Sequence, residues 1–254
     1  MSAVPDCGDA SDRIRQGYYE MSRYFEAGRH LTDPNSRFQR YRAREVLRLC
    51  GPLDGIRAVD LGCGWGTISF ALARSVESVV GVDFAEASVR FCSLRHGSDW
   101  LSNLSFVQAD ARQTGLKPRV WDLVVAADLV EHLYPADTLD VYRESLRLLR
   151  PGGRLVVWTP SPTHFLERLR RWGLLKPDPT HVDYKTLART RSELENCGFR
   201  VHQARYVPSH LPGIRTLERI GQRWIGSLQR RVAIVAIKPE SLRAHPQQER
   251  RGSH

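Results

Sequence analysis

Four aspartates, Asp60, Asp83, Asp110 and Asp128, each stand at or just beyond the end of a short apolar run rich in β-branched residues. The runs are Ile56 to Leu61, Ser78 to Asp83, Leu104 to Ala109 and Trp121 to Ala127, of the length and composition of buried strands. A carboxylate offers two acceptor oxygens and a negative charge, which suits paired hydroxyls, an amine or a cationic ligand. Any single one of the four reads more readily as a helix N-cap. Four at successive strand ends form a set, because the carboxyl ends of parallel strands share one edge of a sheet and line one crevice. The first is followed by Gly62-Cys63-Gly64-Trp65-Gly66-Thr67 and then by an apolar-periodic stretch, Ile68 to Val76. Strand, glycine turn, helix is an order that brings bare backbone against a ligand at a helix N-terminus. The dinucleotide fingerprint would need glycine at position 67, where this chain has threonine, so a pyrophosphate site is not supported.

The nine histidines supply groups that titrate near neutrality and can act as bases. His132 closes Asp128-Leu129-Val130-Glu131-His132, and its role is open between structure and catalysis. His181 lies in the loop Asp178-Pro179-Thr180-His181-Val182-Asp183-Tyr184 after the fifth strand and is the candidate base, with a loop hydrogen bond as the alternative. Tyr18, Tyr19, His164 and Tyr184 are candidates for the substrate side, while nothing in the sequence places His210. The cysteines, Cys7, Cys50, Cys63, Cys92 and Cys197, are scattered without paired spacing, so reduced thiols and no metal site are expected.

The elements that must hold these residues alternate. Helices are expected over Asp12 to Arg29, over Arg37 to Leu49 behind the start signal Asp33-Pro34-Asn35-Ser36, and over Glu86 to Leu94. Another should run from Asp137 to Leu149, stopping at Arg150-Pro151-Gly152-Gly153 before a fifth strand, Arg154 to Thr159. A helix over Tyr184 to Cys197, a strand over Phe199 to Val207, a basic amphipathic segment from Gly213 to Arg231 and a strand over Val232 to Ile237 follow. Strands separated by helical segments of this length imply βαβ units and a parallel sheet covered on both faces. The two N-terminal helices either cap the cleft or pack on the sheet edge.

The pattern of a strand followed by D-x-G-x-G-x-G, with an acidic residue ending each of the next strands, resembles the class I S-adenosylmethionine (SAM)-dependent methyltransferases over roughly residues 40 to 238. The resemblance implies a Rossmann-like, seven-stranded, mostly parallel α/β sheet with helices on both faces, an α-helical N-terminal cap and an antiparallel last strand. It implies a division into a tail and cap helix (1–36), the methyltransferase domain (37–238, with cleft-covering insertions about 160–184 and 208–231) and a flexible tail (239–254). By the same resemblance Asp60 and the turn Gly62, Cys63, Gly64, Gly66 and Thr67 would face the methionine part of SAM. Asp83, with Phe84 beside it, would accept from the ribose hydroxyls. Asp110 and Ala111 would meet the adenine, and Asp128 with Leu129 would sit by the methyl group. The segments Asp128-Leu129-Val130-Glu131-His132-Leu133 and Leu149-Arg150-Pro151-Gly152-Gly153 look like those of the subfamily that methylates small molecules, including quinones and natural products. Methyl transfer to oxygen of a small apolar or aromatic acceptor is the implied activity.

The composition, 41% apolar and 26% charged, is that of an ordinary globular chain, and neither a membrane-span length nor a signal-peptide layout is present. A cytoplasmic protein is expected. The net charge of +10 allows nucleic acid, an anionic membrane surface or an acidic substrate as partner. Nucleic acid is disfavoured, since Ala127-Asp128-Leu129-Val130 stands where amino-directed base methyltransferases carry (N/D/S)-P-P-(Y/F). Ile214, Leu217, Ile220, Trp224 and Leu228, interleaved with Arg215, Arg219, Arg223 and Arg230, allow peripheral contact with an anionic membrane and a lipid-like substrate, or a lid packed on its own domain. Oligomeric state is not readable.

Overall fold

A computed structural model of the chain describes residue 33 and residues 36–99, 101–176 and 180–240. The helix expected over 12–29, with Tyr18 and Tyr19, and the tail from 241 lie outside the described residues.

The strands β1 (Arg57–Leu61), β2 (Ser78–Asp83), β3 (Leu104–Gln108), β4 (Trp121–Ala127), β5 (Leu149–Pro160), β6 (Arg200–Val207) and β7 (Arg231–Ile237) form a seven-stranded sheet in the order β3-β2-β1-β4-β5-β7-β6. The first five run parallel, and β7 lies antiparallel between β5 and β6. The alternating pleat divides the core in two. Helices α1 (Arg37–Cys50) and α2 (Thr67–Ala73) cover one face with Val46, Leu49, Ile68 and Phe70 against Leu123, Val125, Val156 and Trp158. Helices α4 (Pro135–Leu148) and α6 (Leu187–Asn196) cover the other with Val141, Tyr142, Leu148 and Leu194 against Val59, Leu61, Val124 and Val157. Helix α3 (Glu86–Asp99) joins β2 to β3 and packs on both. Each fully buried Val, Leu, Ile or Phe side chain contributes about 1.5–3 kcal/mol, so the double-sided core dominates the stabilisation of the sheet.

Local signals set most boundaries. Ser36 caps α1 by accepting from the Gln39 N–H at 3.2 Å, Thr186 caps α6 through Arg189 N–H at 3.2 Å, and Pro135 opens α4. Two expectations are corrected. Strand β5 reaches back through Pro151-Gly152-Gly153, because Gly152 N–H donates to Lys238 O at 2.9 Å and Lys238 N–H to Gly153 O at 2.9 Å. The basic segment is not one helix: α7 (Pro212–Gly221) stops, and the chain folds back so that Leu228 occupies the space a side chain at Gly221 would need. Helix α5 (Phe165–Arg171) lies between β5 and the 177–179 gap in the described residues.

Candidate functional site

At the carboxyl edge of the parallel strands the four aspartates stand in the spatial order Asp110, Asp83, Asp60, Asp128, following strand order β3-β2-β1-β4. The glycine turn crosses this edge with left-handed φ at Gly62 (66°), Gly64 (50°) and Gly66 (72°). Side chains other than glycine rarely adopt that region. At Gly62 space is a second reason, since a Cβ there would come within 2.8 Å of Leu129 Cδ1. The turn therefore touches the segment after β4, and the two form one wall.

Asp83 braces the turn. One carboxylate oxygen accepts from Gly64 N–H at 2.8 Å and the other from Ala85 N–H at 3.0 Å. Burial raises the Asp83 pKa, opposed by the Ala85 and Gly64 donors. Asp60 points the other way, beneath α2, where it accepts from Ser69 Oγ at 2.6 Å. Burial lifts its pKa to about 6 despite that hydrogen bond and the charge of Arg42. Cys63 and Thr67 are buried in the turn and the first turn of α2, and Phe84 is partly exposed beyond β2. Asp110 is clamped by Arg112, whose Nε and Nη2 approach one carboxylate oxygen at 2.9 and 2.6 Å, while Nη1 reaches Asp137 at 2.8 Å. Ala111 packs beside it against the α4 face of the core.

Asp128 is the most constrained of the four. Its φ is +55°, and it accepts from Arg42 Nε and Arg231 Nη1, both at 2.6 Å. Burial pushes its pKa up, but the two guanidinium groups outweigh burial and hold it at about 2. Arg42 also donates to Ala127 O at 2.9 Å, so α1 and β7 are both pinned to the end of β4. Neither arginine carried a sequence signal. Their roles arise only when β7 is threaded beside β5 and α1 lies over the sheet.

Three residues further on, the short 3-10 turn Val130–His132 places Glu131 and His132 against the 180–184 loop, with Val182 N–H donating to Glu131 O at 2.9 Å. The His132 and His181 ring centroids are 4.7 Å apart. His132 Nδ1 lies 3.1 Å from Thr180 O, and a carbonyl only accepts, so this nitrogen carries the proton. His181 Nδ1 shares a 2.8 Å hydrogen bond with Tyr184 Oη. Glu131 is buried and accepts from Thr159 Oγ1 at 2.9 Å. Burial first, and repulsion from Asp128 second, raise its pKa to about 8. Glu131, His132 and His181 each present a potential ligand atom within 4.8 Å of the others, a grouping for which no metal spacing was visible in the sequence.

One candidate for the substrate side, His164, and the unplaced His210 sit elsewhere. His164 is fully buried and caps α5, with Nδ1 accepting from Leu166 N–H at 3.3 Å and Nε2 2.9 Å from Glu218 of α7. It latches two covering segments together, a packing role that its sequence context did not show. His210 stacks edge-on against Phe38 at 5.6 Å, under α1.

Part of the chain is similar in sequence to known methyltransferases. Residues 58–153 match a family described as a methyltransferase domain. A ubiquinone biosynthesis O-methyltransferase of Leptothrix cholodnii is 28% identical over 156 residues, 58% of this chain and 66% of that protein. A nocamycin O-methyltransferase of Saccharothrix syringae is 34% identical over 135 residues, 52% and 46% of the two chains. The chain thus spans between about half and two thirds of the length of these curated relatives. Magnesium protoporphyrin IX methyltransferase of Synechocystis PCC 6803, solved with bound SAH, superposes with a TM-score of 0.67 at 19% identity, covering 89% of this chain and 99% of that one. Over residues 58–153 the chain is thus similar to a methyltransferase domain, and these residues contribute the first four strands of the seven-stranded sheet.

Proposed function

We propose that the protein transfers a methyl group from SAM to a hydroxyl of a small apolar or aromatic molecule. SAM supplies an activated methyl on a positive sulfur, so the protein's task is alignment and charge placement. The turn fits such a group: a Cβ built on Gly64 would meet nothing within 4 Å, and the Asp83 carboxylate stands beside it, 2.8 Å from the Gly64 N–H. On this reading Asp60, Gly62, Cys63, Gly64, Gly66 and Thr67 hold the methionine part, and Asp83 with Phe84 the ribose, whose hydroxyls reach lone pairs that Gly64 and Ala85 do not use. Asp110 and Ala111 take the adenine side. Asp128, fixed by Arg42 and Arg231, acts with Leu129 as the wall behind the methyl group.

The observation that carries the reading is the meeting of His132, His181 and Tyr184 one short turn beyond the wall that touches Gly62. A hydroxyl acceptor must lose its proton near neutral pH, and paired imidazoles suit that task. The names of both curated relatives, O-methyltransferases, support oxygen as the acceptor atom. The test is calorimetric titration of SAM together with turnover on a panel of phenols and quinols. Asp83→Ala should weaken SAM by at least about tenfold, whereas His181→Ala should slow turnover by roughly 10²-fold or more with SAM affinity kept. Unchanged SAM affinity in the first variant, or full activity in the second, would remove the assignment concerned.

A second observation bears on where the acceptor is met. Trp172 (64% exposed) at the end of α5, Leu217 (65%) and Ile220 (65%) on α7, and Trp224 (77%) after it stand exposed on the covering segments. Arg168 and Arg171 line a groove there with Trp224 and Ile225. Exposed tryptophans among arginines suit an anionic bilayer interface, and a lipid-like acceptor would be collected there.

A further inference from the structure

We propose that Glu131, His132 and His181 bind one divalent first-row transition ion beside the acceptor site. Each offers one ligand atom, and these atoms all lie within 4.8 Å of one another. Around an ion with metal–ligand distances of about 2.0–2.2 Å the ligand atoms stand roughly 3.4 Å apart, so small side-chain rotations complete the site. Two imidazoles and one carboxylate select Zn²⁺, Mn²⁺, Fe²⁺ or Co²⁺ over Mg²⁺ and Ca²⁺, which prefer oxygen alone.

The surroundings are those of held ligands. Metal-binding histidines almost always donate their other ring N–H to a carbonyl or comparable acceptor, which fixes the tautomer and the ring. His132 does so, with Nδ1 3.1 Å from Thr180 O, and its Nε2 is then the unprotonated nitrogen that ligates. His181 Nδ1 is oriented by Tyr184 Oη at 2.8 Å, and Glu131 by Thr159 Oγ1 at 2.9 Å. Glu131 is 1% exposed while both histidines are half-buried, so an ion would be reached from the histidine side. Three protein ligands leave a position open, as catalytic rather than structural sites do.

The inference deepens the methyl-transfer reading and rests on it only for the consequence. A hydroxyl bound at the open position would release its proton to water more readily, because the ion stabilises the oxygen anion left behind. The imidazoles would then activate the acceptor as ligands rather than by removing the proton themselves.

The test uses the full chain after dialysis against chelator. Co²⁺ alone is titrated by visible absorption and calorimetry, and Zn²⁺ is then added as competitor. One ion per chain, a d–d band displaced by Zn²⁺, and affinity lowered at least about tenfold in both His132→Gln and His181→Gln would support the site. Tyr184→Phe, which keeps every ligand and removes an orienting group, should lower affinity by a smaller factor, and circular dichroism checks that each variant folds. Absence of stoichiometric Co²⁺ or Zn²⁺ binding, or equal affinity in wild type and both histidine variants, would overturn it. SAM titration of the metal-free wild type separates the two readings. SAM binding without ion binding removes this inference alone, and ion binding without SAM binding removes the methyl-transfer reading and leaves the site.

Discussion

Each strand-end aspartate carries the same side chain into a different environment, and environment decides what it can do. Asp128, between two arginines, is held ionised to about pH 2, whereas Asp60, buried beneath α2 with one hydroxyl donor, titrates at about 6. This separation makes a prediction. If ionised Asp60 faces the ammonium of SAM, calorimetry should show affinity falling by up to about tenfold per pH unit below 6, because the cofactor must displace a proton. Asp60→Asn should flatten that dependence while keeping an acceptor for Ser69. The sign for stability is opposite. Folding raises this pKa, so the contribution is fully present below the unfolded value, near 3.9, and is lost as pH rises through about 6. Urea unfolding at pH 4.5 and 7 should show wild type losing more stability across that interval than Asp60→Asn. An equal loss in both proteins would mean that Asp60 does not titrate there.

Between elements, the covering segments are locked by buried polar contacts rather than by a continuous apolar seam. Glu218 of α7 is fully buried and accepts from His164 at the start of α5 and from Ser209 N–H. Glu218→Ala strands both donors and should cost about 2–4 kcal/mol by chemical denaturation, since each buried unmet donor costs about 1–3 kcal/mol. Glu218→Gln, which keeps an acceptor, should cost less. Across the sheet, the Tyr41 hydroxyl donates to Pro208 O, so α1 is tied to the connection between β6 and α7. The element boundaries were largely legible: β2 and β4 occupy the expected residues, because continuous β-branched runs between glycine and polar breaks leave little freedom. The end of α7 was not. The spacing of Ile214, Leu217, Ile220, Trp224 and Leu228 fits one long helix, and only the packing of Leu228 against Gly221 shows that it folds back.

For the molecule as a whole, bulk charge and exposed apolar side chains on the covering segments bear on what surface it meets. Among the described residues no helix is long and apolar enough to cross a membrane. The net charge of +10 and the exposed Trp172, Leu217, Ile220 and Trp224 predict binding to anionic vesicles at low salt. Co-sedimentation with phosphatidylglycerol vesicles should fall at least severalfold at 0.5 M salt and in Trp172→Ala/Trp224→Ala. Failure to sediment at either salt would dismiss a membrane role.

The sequence by itself determined the sheet, the glycine turn and the four acidic strand ends, because these depend on local periodicity and on the rule that parallel strands share a carboxyl edge. Tertiary structure alone decided the partners. Arg42 and Arg231 meet at Asp128 only because β7 inserts antiparallel between β5 and β6. His181 meets Glu131 and His132 only because the 180–184 loop returns to the end of β4. Contacts between residues far apart in the chain follow no spacing rule, and the chemistry of this edge is made of such contacts.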